Sequence, residues 1–263
     1  CTNRLYCFIN QRIKFIMAYT TIKKPSDYFN TKLYTGNGGT QSITGLDFQP
    51  DWVWIKERSS TSSHALFDAI RGATIKLSSN NTDANNTSTA DLTSFNSDGF
   101  TNGNSGAVNE SGQTYASWNW KAGGTGSSNT DGSITSTVSV NTTAGFSIVK
   151  YSGNSGGSGY SATIGHGLGT TPAFVMVKCL TNADGWFIYH KGNTSAPETD
   201  FIRLDSTDGT VDQTNIWYDT APTNSVFTVG IDGGVNQVGR DYIAYCFAEK
   251  QGFSKFGSYT GNG

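Results

Sequence analysis

The sequence predicts an all-β fold made of two tandem homologous antiparallel β-sandwich modules of the jelly-roll or lectin-like kind. Composition is the first reason. The 263 residues include 32 Gly, 13% aromatic residues and only 14% charged residues, which is unlike the composition of helical bundles and coiled coils. Patterning is the second reason, because the apolar residues fall in short β-branched and aromatic runs bounded by Asp-Gly and Asn-Gly pairs, which are typical of tight hairpin turns.

The third reason is that the chain repeats itself. The segment DYFNTKLYTGNG at 27–38 is similar to AGFSIVKYSGNS at 144–155, and again to GFSKFGSYTGNG at 252–263. Two more pairs of segments match between the halves, namely 50–56 with 172–178 and 114–120 with 241–247. The sequence therefore predicts two modules with the same order of core strands.

The repeat divides the chain into five parts. Residues 1–16 have scattered apolar residues and no acid, and a methionine follows them, so we expect non-native sequence upstream of the true start, with a small docking arm as the alternative. The β-sandwich modules occupy 17–120 and 134–258. Between them, 121–133 is predicted to be a flexible linker because it is rich in Gly and Ser. Residues 259–263 repeat the opening of a module, so we expect a chain truncated at the start of a third repeat.

The individual strands follow from the apolar runs. Residues 52–55, 174–177 and 242–247 are short blocks of β-branched and aromatic residues, which fit pleated strands better than helices. Residues 65–70 could form one short helical turn. No longer segment has a sustained helical period, so we expect the core of each module to be strands alone.

Charge and cysteine content exclude several classes of protein. Lys and Arg number 18 against 20 Asp and Glu, so the basic surface that nucleic-acid binding needs is missing. We find no signal peptide and no membrane-inserting segment. Cys179 and Cys246 lie at no metal-binding spacing and are expected to be buried, reduced and inert.

No arrangement of residues indicates catalysis, so we expect that the protein is not an enzyme. The segment around Ser155 resembles the nucleophile loop of chymotrypsin-type proteases, but Ser155 matches Gly38 in the first copy of the repeat, which indicates a turn residue. Glycoside hydrolysis needs two facing carboxyl groups, and no Glu falls at matched positions in the two modules. We therefore predict no catalytic residue.

Metal and cofactor sites are not expected either. His64, His166 and His190 share no spacing with carboxylates that would form a metal centre, and His166 is expected to satisfy hydrogen bonds within its loop. The acidic stretch 205–212 lacks the ligand spacing of an EF-hand and is predicted to be a surface turn. Weak calcium binding there is the alternative.

One candidate ligand site remains, formed by Trp217, Tyr218 and Asp219. Aromatic rings beside an acid in a loop are the means by which lectin-like sandwiches stack on sugars and hydrogen-bond to them. Packing of Trp217 in the core is the alternative, since Trp in a β-sandwich is commonly a core residue.

Four segments carry a resemblance to a known module: 163–172, 217–227, 242–249 and 252–263. They resemble a module found in tandem in virion structural proteins of marine tailed bacteriophages, and the resemblance covers the chain from about residue 18 onward. The first module departs from that pattern at 43–48, where the His-Gly-Leu-Gly loop of the second module is replaced.

The resemblance implies a virion structural protein of the tail-fibre or tail-associated kind. Its expected location is the tail or capsid surface after synthesis in the host cytoplasm, with other virion proteins as partners. A host-surface glycan is the candidate ligand in host recognition, and a homotrimer is the candidate assembly. A capsid-decoration or scaffold protein without a ligand is one alternative, and a tail-associated polysaccharide depolymerase is another.

Overall fold

The computed structural model describes residues 19–155 and 160–262. Over these residues the fold is all-β, as predicted, and every pair of named strands is antiparallel. The three helices of the described residues are single turns of four residues, and none of them is long enough to cross a membrane. The expected upstream segment 1–16 and the last residue of the expected third repeat lie outside the described residues.

The first half of the chain begins with a 3-10 turn, Pro25–Asp27, and continues with nine strands and one helical turn. They are β1 (Phe29–Thr35), β2 (Gln41–Thr44), β3 (Trp52–Glu57), β4 (Ala65–Asp68), β5 (Ile75–Lys76), β6 (Asn86–Thr87), β7 (Leu92–Asn96), β8 (Gly99–Asn102), α1 (Gly106–Asn109) and β9 (Thr114–Trp120).

The second half contributes ten strands and two helical turns. They are β10 (Ser127–Asn129), β11 (Ser136–Asn141), β12 (Phe146–Ser152), β13 (Ala162–Gly165), β14 (Phe174–Cys179), β15 (Trp186–His190), β16 (Asp200–Arg203), β17 (Val211–Asp212), α2 (Thr214–Trp217), β18 (Val226–Val229), α3 (Gly233–Asn236) and β19 (Asp241–Phe247).

Each half is organised around one main sheet. The strand order is β1-β9-β3-β4 in the first half, and β12-β19-β14-β15 forms the centre of an eight-stranded sheet in the second half. The register is also the same, because Phe29 faces Trp120 at one end of the first pair and Phe146 faces Phe247 in the second. The division into tandem homologous modules stays a prediction, which this repeated order supports.

A small sheet covers one face of each main sheet. In the first half, β2, β8 and β7 pack over β3, with Ile43, Phe100 and Val53 in one apolar cluster. In the second half, β13 and β18 pack over β14 in the same way, with Phe227 and Val175 in contact through a larger cluster. Each half is therefore a small antiparallel sandwich.

The free faces of the two main sheets pack against each other. A third apolar cluster joins Trp52 and Leu66 of the first half to Phe146, Ile148 and other residues of the second. Four sheets thus lie in one stack with three apolar layers between them. Both faces of each main sheet are covered, which explains why β14 is apolar or buried at nearly every position instead of alternating.

The segment 121–133 differs from the flexible linker that its composition predicts. Ala122 is buried, and its backbone N–H donates to Asp51 Oδ2 at 2.7 Å. The N–H of Gly123 donates to Ser139 Oγ at 2.8 Å, and β10 pairs with β11. The physical reason is that Gly lets this backbone approach Val140 so closely that a side chain would collide with it. The segment is part of the fold.

Candidate functional site

An aromatic cleft opens between the two main sheets, and β3 and β9 form its first wall. Residues alternate along β3, so Val53 and Ile55 enter the core of the first half while Trp52 and Trp54 lie on the opposite face. Trp120 is the partner of Trp52 in the β3–β9 pair, and the two ring centroids are 4.3 Å apart. The three indole rings form a continuous apolar surface.

The opposite wall comes from three phenylalanines of the second half. Phe146, Phe174 and Phe247 lie on neighbouring strands β12, β14 and β19. The ring of Phe247 is 4.7 Å from that of Phe146 and 5.8 Å from that of Phe174. Contact between the walls is direct, because the rings of Trp52 and Phe146 are stacked at 5.7 Å.

The chain returns to the mouth of this cleft after β19. Phe253 packs edge-on to Tyr28 with the ring centroids 6.2 Å apart, and Phe256 stacks on Phe174 at 5.8 Å. Glu249 holds this turn in place, since its Oε1 accepts a hydrogen bond from the N–H of Phe256 at 2.9 Å. Lys191 pairs with Glu249 at 2.6 Å, and this contact lowers the pKa of the Glu249 carboxyl.

The cleft encloses about 400 Å³. Among the described residues that line it, Tyr28 and Ser254 carry hydroxyl groups, and the other side chains are apolar or indole: Phe29, Trp52, Trp54, Trp120, Ala144, Phe146, Phe174, Met176, Leu204, Phe247, Phe253 and Phe256. A sugar needs several directed hydrogen bonds in its site. With two hydroxyl groups among the described lining side chains, the cleft offers few such bonds.

A buried ion pair lies beside the aromatic interface. Arg71 Nε donates to Asp68 Oδ2 at 2.5 Å, and both side chains are almost fully buried. The hydroxyl of Tyr245, from the other half, donates to the same carboxylate oxygen at 2.8 Å. Burial opposes charge on Arg71, but the Asp68 carboxylate and Tyr245 together hold the pKa of the guanidinium above its ordinary value. A buried charge pair of this kind depends on keeping both partners.

Further polar contacts tie the two halves together. Lys178 is buried, and its Nζ donates to the carbonyl oxygens of Thr82 at 3.0 Å and Asp184 at 2.7 Å. Burial lowers the pKa of this amine. Trp186 Nε1 donates across the same boundary to the carbonyl oxygen of Ser78 at 3.0 Å. The interface is therefore specific as well as apolar.

The structure places the predicted ligand triplet at the end of α2. Trp217 is only 2% exposed and packs edge-on to Tyr189 at 6.3 Å, as the core-packing interpretation expects. A ring so deeply buried cannot stack on a sugar from solvent. Tyr218 is 40% exposed, and Asp219 is exposed beside it. Ligand binding by the triplet stays a prediction, and it depends on Tyr218 and Asp219.

The turn that carries these two residues is strained. Tyr218 has φ 55° and Asp219 has φ 47°, and such left-handed conformations are uncommon for residues other than Gly. The N–H of Tyr218 closes the turn by donating to the Thr214 carbonyl oxygen at 2.8 Å. After this turn the Tyr218 side chain is partly exposed, whereas Trp217 before it is buried.

The histidines have structural partners. His166 is buried, its Nδ1 accepts from the N–H of Leu168 at 3.2 Å, and its Nε2 lies 3.3 Å from the Thr223 carbonyl oxygen, which confirms the expected role within its loop. His64 Nδ1 accepts from Trp54 Nε1 at 2.7 Å. Over residues 19–155 and 160–262, no group of three or more potential ligands could hold a metal ion.

The alternation of tryptophans in the sequence is a signal for the cleft, and the prediction of two separate modules does not account for it. Tryptophans alternate on two paired strands, as Trp52 and Trp54 on β3 and Trp118 and Trp120 on β9, while Val53 and Ile55 fill the other face of β3. A strand that is apolar on both faces needs a cover on each. That pattern indicates a second sheet packed on the tryptophan face.

The protein is an all-β chain of stacked antiparallel sheets. Its aromatic cleft and its buried polar contacts both lie at the interface between its two halves. The family described as a domain of unknown function, DUF7483, matches residues 24–263. The chain belongs to this family. No protein with curated function and no solved structure gives a match.

Proposed function

We propose that the chain is a structural component of a bacteriophage virion, of the tail-fibre or tail-associated kind, in which stacked β-sandwich modules extend the particle. The supporting observation is the joint between the two halves. In this joint the ring of Trp52 stacks on those of Phe146 and Tyr245, and the Trp52 and Tyr245 ring centroids are 4.3 Å apart. The joint is therefore a packed apolar core and not a flexible connection. The likeness of several segments to phage virion modules supplies the biological setting.

The joint has the properties that a rigid spacer needs. An aromatic layer resists bending because any hinge motion would expose apolar surface to water. The Asp68–Arg71–Tyr245 contacts add directionality, since they fix one relative placement of the two sheets.

Contact with a host-surface glycan is the ligand-binding part of this proposal, and it is assigned to Tyr218 and Asp219. Their support is exposure on a turn that presents an aromatic ring next to a carboxylate. A polysaccharide depolymerase has less support, because no carboxylate lies among the described residues that line the aromatic cleft.

Antibody against the chain tests the structural role. We expect gold-labelled antibody to mark the tail or the capsid surface of phage particles purified from the source of this sequence, and peptides of the chain to be present in those particles by mass spectrometry. Purified particles that contain no peptide of the chain would overturn the proposal. Labelling on the capsid alone would favour the decoration alternative.

The glycan part is tested with the fluorescent full chain on host cells and extracted polysaccharide. We expect saturable binding that free sugar competes, without new reducing ends, and about tenfold weaker binding for Tyr218→Asn. Asn tolerates the left-handed backbone at this position. Tyr160→Asn is the matched control, because Tyr160 is an exposed tyrosine elsewhere in the second half. New reducing ends would support the depolymerase, and equal loss in both variants would remove Tyr218 from the site.

A further inference from the structure

The end of β1 and the end of β12 make the same contacts, and these define what we name the tyrosine-asparagine corner. Tyr34 stacks on Tyr115 at 5.1 Å and donates its hydroxyl to the Val108 carbonyl oxygen at 2.8 Å. In the second half, Tyr151 stacks on Tyr242 at 5.2 Å. Its hydroxyl donates to the carbonyl oxygen of Val235 at 2.7 Å.

Asparagine completes the corner in both halves. The N–H of Asn37 donates to Asn109 Oδ1 at 3.0 Å, and the N–H of Asn154 donates to Asn236 Oδ1 at the same distance. Asn109 and Asn236 each end a one-turn helix, α1 or α3, and each is fully buried. A Tyr-x-Gly-Asn segment thus pairs with a helical turn that ends in Asn.

The glycine of the segment is required by close approach. A Cβ atom added at Gly36 would overlap the carbonyl oxygen of Glu110, and one added at Gly153 would overlap that of Gln237. Neither glycine has a positive φ angle. Proximity to the backbone of the helical turn is therefore the reason for Gly at this position.

The same four-residue segment returns as Tyr259-Thr260-Gly261-Asn262. Here Tyr259 is 94% exposed, and residues 255–262 belong to no strand of the described chain. No atom of the described residues lies within 4 Å of a Cβ added at Gly261. The segment has the same Tyr, Gly and Asn, and no described residue makes with them the contacts that Tyr34, Gly36 and Asn37 receive in the first half.

The residues just before this segment are already in place. Phe253 and Phe256 pack at the mouth of the aromatic cleft, and Glu249 accepts from the N–H of Phe256. The exposed segment therefore leaves the protein from a fixed point. A segment held at one end in this way has lost part of its conformational freedom before binding, which favours docking.

We propose that residues Tyr259–Asn262 dock as the first-strand end of a further module of the same kind, supplied by another stretch of polypeptide. The partner carries a strand like β9 or β19 with a buried Tyr, and a one-turn helix that ends in Asn. In the partner, the carbonyl oxygen that matches that of Val108 accepts a hydrogen bond from the Tyr259 hydroxyl, and the Oδ1 of the helix-ending Asn accepts one from the N–H of Asn262. This inference depends on the repeated corner, and it holds or fails independently of a virion role.

A fusion tests the proposal in the full chain. Residues 39–126, which contain β2 to β9 without β1, are appended after residue 263, so the added module lacks its own Tyr34, Gly36 and Asn37 and has only the proposed segment to complete it. Nitration by tetranitromethane, followed by mass spectrometry, reads the exposure of each tyrosine. Tyr160 and Tyr19 serve as internal references because both are exposed in the unfused chain.

We expect nitration of Tyr259 to be at least about tenfold slower in the fusion than in the unfused chain, with Tyr160 unchanged, and the appended residues to resist protease. Gly261→Val should restore nitration and cleavage, because its side chain would strike the carbonyl oxygen of the residue that matches Glu110. Gly257→Ala is the matched control, since a Cβ added there meets no described atom within 4 Å. Equal nitration in the fusion and the unfused chain, or protection that survives Gly261→Val, overturns the proposal.

Discussion

Tyr34 in the first half and Tyr151 in the second make the same ring stack and the same carbonyl hydrogen bond, with distances that agree within 0.1 Å. The edges of the two main sheets, by contrast, are built differently. β12 pairs with β11, which in turn pairs with β10, whereas β1 is an edge strand of its sheet. The repeated contacts are those that close each sandwich, and the contacts at the sheet edges differ between the halves.

The unrepeated parts add polar contacts to the aromatic contacts that the repeated strands β3, β9, β12 and β19 make between the halves. In the first half, the chain between β4 and β7 reaches the second half through Arg71, Ser78 and Thr82. In the second half, the corresponding region forms β16, β17 and α2 and extends its own sheet. The comparison shows that the corner contacts and the polar contacts between the halves are made by separate residues.

The largest expected effect comes from the unrepeated ion pair. Arg71→Met leaves Asp68 charged and buried, and we expect it to cost about 3–5 kcal/mol of the free energy of unfolding. Chemical denaturation followed by tryptophan fluorescence measures it. The double variant Asp68→Asn with Arg71→Met should recover most of the loss, because no unpaired charge remains. Equal losses in the single and double variants would contradict this account.

Substitution of the corner glycines should cause the second-largest loss of stability. Gly36→Ala and Gly153→Ala should each destabilise by about 1–3 kcal/mol, since the added methyl group forces backbone carbonyls apart. Gly39→Ala is the matched control, because its nearest neighbour is 3.7 Å from the added atom. The two corner variants should agree with each other in thermal and denaturant unfolding, and a clear difference would break the equivalence of the two corners.

The tyrosine hydroxyls of the two corners should contribute unequally to stability. Tyr151→Phe should cost about 0.5–1.5 kcal/mol for one lost hydrogen bond. Tyr34→Phe should cost more, because Asn102 Nδ2 also donates to the Tyr34 hydroxyl at 3.1 Å, while Val229 stands at the matching position of the second half. Urea unfolding of both variants gives the difference, and a smaller loss for Tyr34→Phe would show that Asn102 gains a better partner elsewhere.

The smallest expected effect is a pH dependence of stability that originates in the second half. Burial lowers the pKa of His166 in the folded state, so the unfolded chain, with a His pKa of about 6.5, takes up the proton more readily. Stability contributed by neutral His166 is therefore present above that value and decreases as the pH falls towards the folded-state pKa. Denaturant midpoints at pH 7.5 and at mildly acidic pH should differ less for His166→Asn than for the unsubstituted chain.

The all-β class and the main strands could be predicted from the sequence, because runs such as 174–177 and 242–247 have the residue types of buried strands and lie between turn signals. For Trp217 the sequence left core packing and ligand binding both open, and the fold decides for burial because Tyr189 of β15 and Phe227 of β18 come close to it. The aromatic cleft could have been inferred from the two-faced apolar pattern of β3. Its partner face could not, because no local signal specifies which sheet covers the tryptophans.

The register of the main sheets has a mechanical consequence. Phe29 faces Trp120, so the chain enters and leaves the first half at the same end of β1 and β9. A tensile load carried through the backbone would open this strand pair one residue pair at a time from that end, instead of shearing all its hydrogen bonds together. Resistance to pulling would then come chiefly from the aromatic layer between the halves, where Trp52 and Tyr245 must separate as whole faces.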